Sequence, residues 1–278
     1  MASRLRELGL RERLGAVEAH EVSPPPYNPQ RDEATGIRNA RAIADYSVAL
    51  AAAVAAQLDA DRFPLVIGGD CSILLGCLLA LGRRGRHGLV FVDGHQDFQT
   101  PAISRTGGAA GMDLALAVGI GPPLLATLGG DGPLVAAADV AMLGPRDNPA
   151  WYTGDDVRRA RDAMHVRYLD ALRRTGMATA GEDVAGLVTR SGMTGTWIHL
   201  DVDVLDDAVM PAVDSRQPDG LSYAELESLL RPVLATGMVV GMDVTIYDPD
   251  RDPDGSAGRA LVDGLVRVLA SINGVRVV

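Results

Sequence analysis

Short apolar segments alternate along the chain with longer segments of helical periodicity. The apolar segments are hydrophobic throughout, which is typical of strands buried on both faces of a parallel sheet. These strands are expected at residues 63–69, 88–98, 139–147, 196–206 and 237–249. Helices are expected at residues 36–60, 72–84, 155–175, 180–192, 222–235 and 256–272. The alternation predicts an α/β protein whose parallel sheet is covered by helices on both faces.

Two segments interrupt this pattern without dividing the chain. Residues 23–32 are rich in proline and residues 128–133 (LGGDGP) are rich in turn formers, so both are predicted loops. A chain of 278 residues can be one large domain or two small ones. Because no Ser/Gly linker or charge run separates two halves, we expect a single domain over residues 1–278. The pattern leaves the structure of its N-terminal segment, residues 1–35, undefined.

The composition is that of a globular protein, with 47% hydrophobic and 22% charged residues. The net charge is −10, and the sequence contains no lysine, so every permanent positive side-chain charge is an arginine. An acidic chain without a basic stripe argues against nucleic acid as a partner.

The sequence has no signal-peptide pattern and no apolar run of roughly 18 residues that would span a membrane. Two cysteines, Cys71 and Cys77, are too few for a disulfide framework. We therefore expect a cytoplasmic protein without a nucleic-acid or membrane partner.

Charged side chains cluster where two predicted strands end. The run VFVDGHQDF places Asp93, His95 and Asp97 at i, i+2 and i+4, so a strand would carry all three on one side. The run WIHLDVDVLDD places Asp201 and Asp203 at i and i+2 in the same way. In open α/β sheets, ligands bind at the carboxyl ends of the strands. These five residues are therefore candidate ligands.

Carboxylates gathered at one sheet edge need a compensating cation to stay ionised. Oxygen donors with one imidazole suit divalent metals of the Mn type, and bridging carboxylates suit two ions roughly 3.5–4 Å apart. The alternative for any single aspartate is that it caps a loop or a helix. The repeated D-x-H-x-D and D-x-D spacing favours the metal site.

Four runs of the sequence resemble the signature blocks of the arginase/agmatinase (ureohydrolase) family, in order and spacing. They are GGDCS, VDGHQDFQTP, TGGAAGMDLALAVG and HLDVDVLDD, and the resemblance extends from about residue 36 to the C-terminus. It implies an arginase-like fold, a three-layer αβα sandwich around a central parallel sheet. It also implies a small-molecule substrate and a homo-oligomer, a trimer or a hexamer.

The resemblance implies a site for two divalent metal ions, with Mn as the expected metal. Carried over by motif, Asp93 and Asp201 would bridge the two ions. His95 and Asp203 would bind one ion only, and Asp97 the other. Asp97 would also be the catalytic residue that orients a metal-bridging hydroxide as it attacks an amidine-like carbon.

Cys71 stands in GGDCS at a position where this family usually has a histidine ligand. As a thiolate it would bind metal, but it is softer than imidazole and would shift the preference from Mn toward Zn, Fe or Co. The alternative is a small buried thiol beside a one-ion or weakened site. Cys77 lies six residues further along the predicted helix and is expected to pack in the core.

Two other positions depart from the family pattern. Ala110 stands where the family has a histidine that acts in proton transfer, and Ile246 where it has a glutamate that pairs with the substrate guanidinium. Losing one partner of such a buried pair costs about 3–5 kcal/mol. Free arginine or agmatine is therefore not the expected substrate unless another acid binds it. Asp113 and Asp248 are the candidates for that substrate-binding role.

VDGHQDFQTP and WIHLDVDVL look closest to a subset of the family that acts on N-hydroxylated arginine and has cysteine at the same metal position. This implies a hydrolase of a linear C–N bond in an amidine, a hydroxyguanidine or a related non-peptide nitrogen compound. The alternative is a degenerate family member without hydrolytic activity, acting as a binding or assembly subunit. Metal content distinguishes the two hypotheses.

Overall fold

A six-stranded sheet forms the centre of the fold in the computed structural model, which describes residues 1–19, 21–270 and 276–278. The strands are β1 (Arg62–Phe63), β2 (Leu65–Ile67), β3 (His87–Val92), β4 (Val140–Leu143), β5 (His165–Arg167), β6 (Gly195–Asp201), β7 (Val239–Thr245) and β8 (Arg276–Val277). The central sheet has the order β2-β7-β6-β3-β4-β5. Its strands are all parallel, and β1 pairs with β8 in a separate parallel ribbon.

Helices cover both faces of the central sheet. They are α1 (Ala2–Glu7), α2 (Leu10–Leu14), α3 (Ala40–Asp59), α4 (Leu74–Gly82), α5 (Asp113–Ala117), α6 (Pro123–Ala126), α7 (Asp155–Ala163), α8 (Leu169–Thr175), α9 (Met177–Val188), α10 (Tyr223–Leu234) and α11 (Ser256–Leu269). Buried side chains of α3 to α7 form one hydrophobic cluster with one face of the sheet. Those of α1, α2 and α8 to α11 form a second cluster on the opposite face. The predicted three-layer αβα sandwich is confirmed.

The strands and helices follow the predicted order, but one helix was predicted wrongly. Residues 155–175 form α7, then the edge strand β5, then α8. The strand contributes three residues only and pairs with β4. A three-residue strand is too short to give a periodic signal, so the polar helices on either side of it dominate the pattern.

The strands end earlier than their apolar runs suggested. The strand β3 ends at Val92, one residue before Asp93. The strand β6 ends at Asp201. The carboxylate of Asp201 accepts a hydrogen bond from the amide N–H of Asp203 at 2.7 Å, which closes a 3₁₀ turn. Asp93, His95 and Asp97 therefore lie in a loop, and the prediction that strand alternation aligns them was wrong. Loop geometry brings these groups together instead.

The first residues of the chain pack onto the sandwich. The helices α1 and α2 contact α11, and Leu5 and Leu10 belong to the same hydrophobic cluster as that helix. The predicted loop at residues 23–32 is irregular except for a bridge between Arg31 and Arg38. We propose that these segments belong to one domain over residues 1–278.

The helix α3 is the most apolar long helix among the described residues. Over 20 residues, with a mean hydropathy of 1.2, it is long and apolar enough to cross a membrane by length and composition alone. No such run was expected from the sequence. One side of α3, including Leu50, Val54 and Leu58, is buried in the hydrophobic cluster that also contains α4. This side serves as core.

Candidate metal centre

The predicted metal ligands lie at the carboxyl ends of β2, β6 and β3, three of the four adjacent strands β2, β7, β6 and β3. They come from the turn after β2, the loop after β3 and the end of β6, and they are Cys71, Asp93, His95, Asp97, Asp201 and Asp203. Of these strands, β7 contributes Thr245, which contacts Cys71. The sheet order therefore brings together residues that are up to 174 positions apart in the sequence.

Asp93, His95 and Asp203 form one possible metal-binding group, with one ligand atom from each within 4.8 Å of the others. Nδ1 of His95 lies 3.0 Å from Oδ2 of Asp203 and 3.7 Å from Oδ1 of Asp93. Nε2 of the same ring faces away, toward Ser215 Oγ at 3.1 Å and toward Gln217. Nδ1 is thus the atom that His95 offers to a cation.

Cys71 lies in a buried turn between β2 and α4. The carboxylate of Asp70 accepts the Ser72 amide at 3.0 Å and so holds this turn. The Cys71 thiol donates to Oδ2 of Asp201 at 3.0 Å and lies 3.3 Å from Oγ1 of Thr245. Burial, followed by the charge of Asp201, raises the pKa of this thiol well above its ordinary value. Without a cation the sulfur keeps its proton, whereas a bound metal would replace it.

His199 is a buried residue of this centre that the sequence reasoning did not select. One of its ring nitrogens forms a second possible metal-binding group with Cys71 and Asp93. His199 lies on β6 two residues before Asp201, so both side chains point to the same side of the strand. The motif WIHLD carried the necessary signal, because a histidine at i−2 from a predicted ligand shares its face.

Asp97 lies beside these groups in a strained segment of the loop. Its φ is +45°, in the left-handed region that is uncommon for residues other than glycine. Burial raises the pKa of its carboxyl well above the ordinary value, and the charges of Asp93 and Asp113 raise it further. Its roles as metal ligand and catalytic residue stay predictions.

The two predicted substrate-binding acids occupy different environments. Asp113 is fully buried at the start of α5, and burial and the charge of Asp93 raise the pKa of its carboxyl despite the opposing effect of His199. Asp248 is only half-buried, and its carboxylate lies 3.1 Å from Nε of Arg251 and caps the following turn. Asp113 thus belongs electrostatically to the metal centre, whereas Asp248 already has a cationic partner. Substrate binding by either residue stays a prediction.

Ala110 and Ile246, the two departures from the family pattern, lie in structured turns. Ala110 begins a 3₁₀ turn before α5. Ile246 follows β7 with a φ of +75°, which is rare for a β-branched residue, and its amide donates to the Gly69 carbonyl at 2.9 Å. The backbone is therefore held in a strained conformation although the side chain carries no charge. Such strain clusters at ligand-binding sites.

Unsatisfied buried atoms show that the centre fits a cation. Throughout the described part of the chain, few buried side-chain atoms have no hydrogen-bond partner, and three of them lie here: Oδ2 of Asp93, Oδ2 of Asp113 and Nε2 of His199. A buried acceptor without a partner costs free energy. The pKa values of Asp93 and Asp201 are raised, by burial first and by Asp203 next. A divalent cation would give the unpartnered atoms a partner and would balance the charge of the buried carboxylates. Oxygen, nitrogen and thiolate donors all bind such ions.

The metal-free protein is expected to lose stability as pH rises. Burial lowers the pKa values of His95 and His199, but hydrogen bonds and nearby aspartates outweigh it and raise them to about 12 and about 9. A group whose pKa is higher in the folded state than in the unfolded state contributes its full stabilisation at pH values below the unfolded pKa, which is near 6.5 for histidine. That stabilisation is lost as the pH rises through the folded pKa. The raised aspartate pKa values act in the same direction. Urea unfolding of chelator-treated protein should show a falling free energy of unfolding from pH 6.5 to 9. A free energy that rises over this range would contradict the expectation.

Gly94 is expected to be essential for the Asp93–His95–Asp203 group. A Cβ at this position would lie 2.5 Å from Arg146 Nη1 and 2.8 Å from Asp203 Oδ1. The added methyl group of Gly94→Ala should therefore displace the Asp203 carboxylate. We expect dication affinity to fall about 10–100-fold, the usual effect of disturbing the groups that orient a metal ligand. Isothermal titration calorimetry measures this change. Gly69→Ala is the control, because a Cβ there meets no atom within 4 Å. Equal losses of affinity in both variants would refute the steric explanation.

Comparisons with known proteins show sequence and fold similarity over most of the chain. A sequence model described as the Arginase family matches residues 7–270. The arginase of Bacillus caldovelox is 30% identical over 234 residues, which cover 82% of this chain and 77% of that protein. The crystal structure of Bacillus subtilis arginase matches with a TM-score of 0.82 at 26% identity, over 96% of this chain and 90% of the other. The proclavaminate amidino hydrolase of Streptomyces clavuligerus matches with a TM-score of 0.70 at 22% identity, over 95% and 77% of the two chains, a likeness that shows the fold alone.

Proposed function

Since this chain belongs to the arginase family, whose members are hydrolases of guanidino and amidino compounds, we propose that it hydrolyses a linear C–N bond in an amidine or a hydroxyguanidine. The observation that carries the proposal is the position of Asp93. This one buried carboxylate belongs to both possible metal-binding groups, Cys71–Asp93–His199 and Asp93–His95–Asp203. A carboxylate shared in this way is suited to bridging two cations.

Two divalent ions are the proposed cofactors, bound by the residues that the family motifs mark. Asp201 supports this assignment because its Oδ2 contacts Cys71 and its Oδ1 accepts the amide of Asp203. It thus lies between the two groups, as a second bridging carboxylate would. Mn suits the oxygen-rich group, while the thiolate of Cys71 favours Zn, Fe or Co for the other ion.

Proton transfer in the proposed reaction is assigned to Asp97. When bound, the divalent cations would lower the pKa of bound water and so make a nucleophile available near neutral pH. Asp97 would accept a hydrogen bond from that nucleophile and hold it toward the amidine carbon. In the metal-free protein burial, followed by the charges of Asp93 and Asp113, raises the pKa of Asp97. Nearby dications would favour the ionised carboxylate, which is the form that accepts the hydrogen bond. The water oxygen would form the new C–O bond, the C–N bond would break, and Asp97 would pass the proton taken from the water to the leaving amine nitrogen.

The substrate is proposed to be less basic than free arginine or agmatine. Ile246 carries no charge to pair with a guanidinium, and Ala110 has no group that relays a proton. Asp248 is already paired with Arg251, which leaves Asp113 as the other predicted substrate-binding acid. An oxygenated or otherwise less basic amidine has a lower pKa and needs less charge compensation. This argument supports a hydroxyguanidine or amidine.

The experiment compares L-arginine, agmatine and the N-hydroxyguanidine analogue of arginine at saturating Mn²⁺. We expect the hydroxyguanidine to be hydrolysed with a kcat/KM at least about 100-fold higher than the two guanidines, because the missing Glu and His are worth several kcal/mol of binding and proton transfer. Chromatographic detection of hydroxyurea and urea measures both reactions. Arginase-like urea release from L-arginine or agmatine would contradict the proposed substrate class.

The proposal also covers the cellular location and the oligomeric state of the protein. Both cysteines, Cys71 and Cys77, are buried free thiols, which supports a reducing, cytoplasmic location. We propose a homo-oligomer, a trimer or a hexamer, which acts on a small molecule. Size-exclusion chromatography with light scattering measures the assembly, and a monomer at micromolar concentration would contradict it.

A further inference from the structure

His199 has the surroundings of a metal-ligating histidine. It is fully buried in β6, and one of its ring nitrogens lies within 4.8 Å of ligand atoms of both Cys71 and Asp93. No motif that carried the family resemblance assigns it a metal-binding role. Its position is nevertheless equivalent to that of a ligand, because it shares a strand face with Asp201.

A carboxylate fixes which nitrogen of His199 points into the centre. Nδ1 of His199 lies 2.5 Å from Oδ2 of Asp243. The other oxygen of Asp243 accepts the indole N–H of Trp197 at 2.5 Å. In the neutral ring this hydrogen bond places the proton on Nδ1, so Nε2 carries the lone pair once a bound cation has displaced its proton. Metal-ligating histidines commonly donate their second nitrogen to a carboxylate in this way.

The ring plane of His199 is fixed as well. The ring of Phe91 stacks on it with the centroids 4.7 Å apart and the planes 19° apart. Phe91 is itself fully buried in β3. His199 is therefore held on one edge by Asp243 and on one face by Phe91, and neither contact engages Nε2. Preorganisation of this kind is what a functional ligand requires.

Nε2 of His199 has no hydrogen-bond partner within the described residues, although it is buried. The alternative is that the protonated His199 ring balances the charge of the nearby aspartates. In that case the buried Nε2–H would lack an acceptor, which costs free energy. An unprotonated Nε2 aimed at a bound cation removes this penalty. The neighbouring Oδ2 of Asp93, which is also unpartnered, offers a second donor to the same ion.

We propose that His199 is a ligand of the ion bound by Cys71 and Asp93, with Asp243 as its positioning residue. The inference rests on the proposed metal-dependent function and adds a residue to it. The imidazole that the family usually has at position 71 is supplied here from β6. The resulting sulfur, nitrogen and oxygen donor set is softer than the Asp93–His95–Asp203 group, so the two positions differ in metal preference.

The test titrates Co²⁺ into chelator-treated full-length protein under reducing conditions, for the wild type and for His199→Gln. Thiolate-bound Co²⁺ gives a sulfur-to-metal charge-transfer band, so the ion at Cys71 is followed separately from the second ion. We expect His199→Gln to lower the affinity read from this band by more than about 100-fold, and Asp243→Asn to lower it about 10–100-fold. His87→Gln is the control, because His87 is a buried histidine at the opposite end of β3.

Equal affinity in the wild type and in His199→Gln would overturn the assignment of His199 and leave the proposed function standing. A wild type that takes up no Co²⁺ at all would overturn the proposed function itself. A measurement on the wild type removes any dependence on how the variants fold. With ¹⁵N-labelled histidine and ¹¹³Cd²⁺, two of the five histidines, His95 and His199, should show ¹¹³Cd–¹⁵N coupling. Coupling at His95 alone would overturn the proposal.

Discussion

Replacing Asp93 with asparagine is expected to abolish binding of both proposed dications. Asp93 is fully buried and is the residue that the two possible metal-binding groups have in common. Its Oδ1 accepts the His95 amide at 2.7 Å, while its Oδ2 is unpartnered in the described structure. An asparagine keeps the shape but supplies no negative charge to balance two cations. Metal analysis after dialysis should therefore fall from two equivalents to less than half an equivalent.

The stability of the metal-free Asp93→Asn variant provides the internal control. Burial and the charge of Asp203 raise the pKa of Asp93, so the ionised carboxylate destabilises the metal-free fold. The variant should thus be at least as stable as metal-free wild type in urea unfolding at pH 8. Asp131→Asn, in an exposed loop, should leave metal content unchanged. Two equivalents of metal in Asp93→Asn would refute the bridging role.

Asp97→Asn is expected to reduce kcat by about 10²–10⁴-fold, the usual contribution of a positioned acid or base. The amide cannot accept a proton, although it has the same size as the carboxylate. The ion held by Asp93, His95 and Asp203 should remain, because the described contacts of that group do not include Asp97. Steady-state hydrolysis at saturating Mn²⁺, together with metal content, measures both effects.

The matched control for Asp97 is Asp155→Asn, an exposed aspartate paired with Arg158 on α7. This variant should retain wild-type kcat. A kcat in Asp97→Asn within threefold of wild type, at full metal occupancy, would show that Asp97 is not the catalytic residue.

The fold could be predicted from the sequence because its main strands are uniformly apolar. The core strands β3 and β6 are buried at every position, and such runs indicate a parallel sheet covered on both sides. The edge strand β5 was missed because it has three half-buried residues between two polar helices. Edge strands of this length leave too weak a signal in a single sequence.

The acidic centre could be predicted in composition but not in geometry. The D-x-H-x-D and D-x-D spacings identified the residues, yet the loop after Val92 sets their positions through contacts such as the one between the Gly94 amide and Asp203 at 3.2 Å. The spacing in WIHLD places His199 on the strand face of Asp201, but its hydrogen bond to Asp243, 44 residues away on the neighbouring strand, could not be predicted. Cross-strand hydrogen bonds of this kind have no local signature.

The dication stoichiometry of the wild-type protein is the most direct test of the proposed two-ion centre. Isothermal titration calorimetry with Mn²⁺ and Co²⁺ on chelator-treated, reduced protein measures it without reference to any substrate. We predict two equivalents per chain, because Asp93 is shared by two possible metal-binding groups. A protein that binds no dication at millimolar concentration would contradict the account and favour a family member that serves as a binding or assembly subunit.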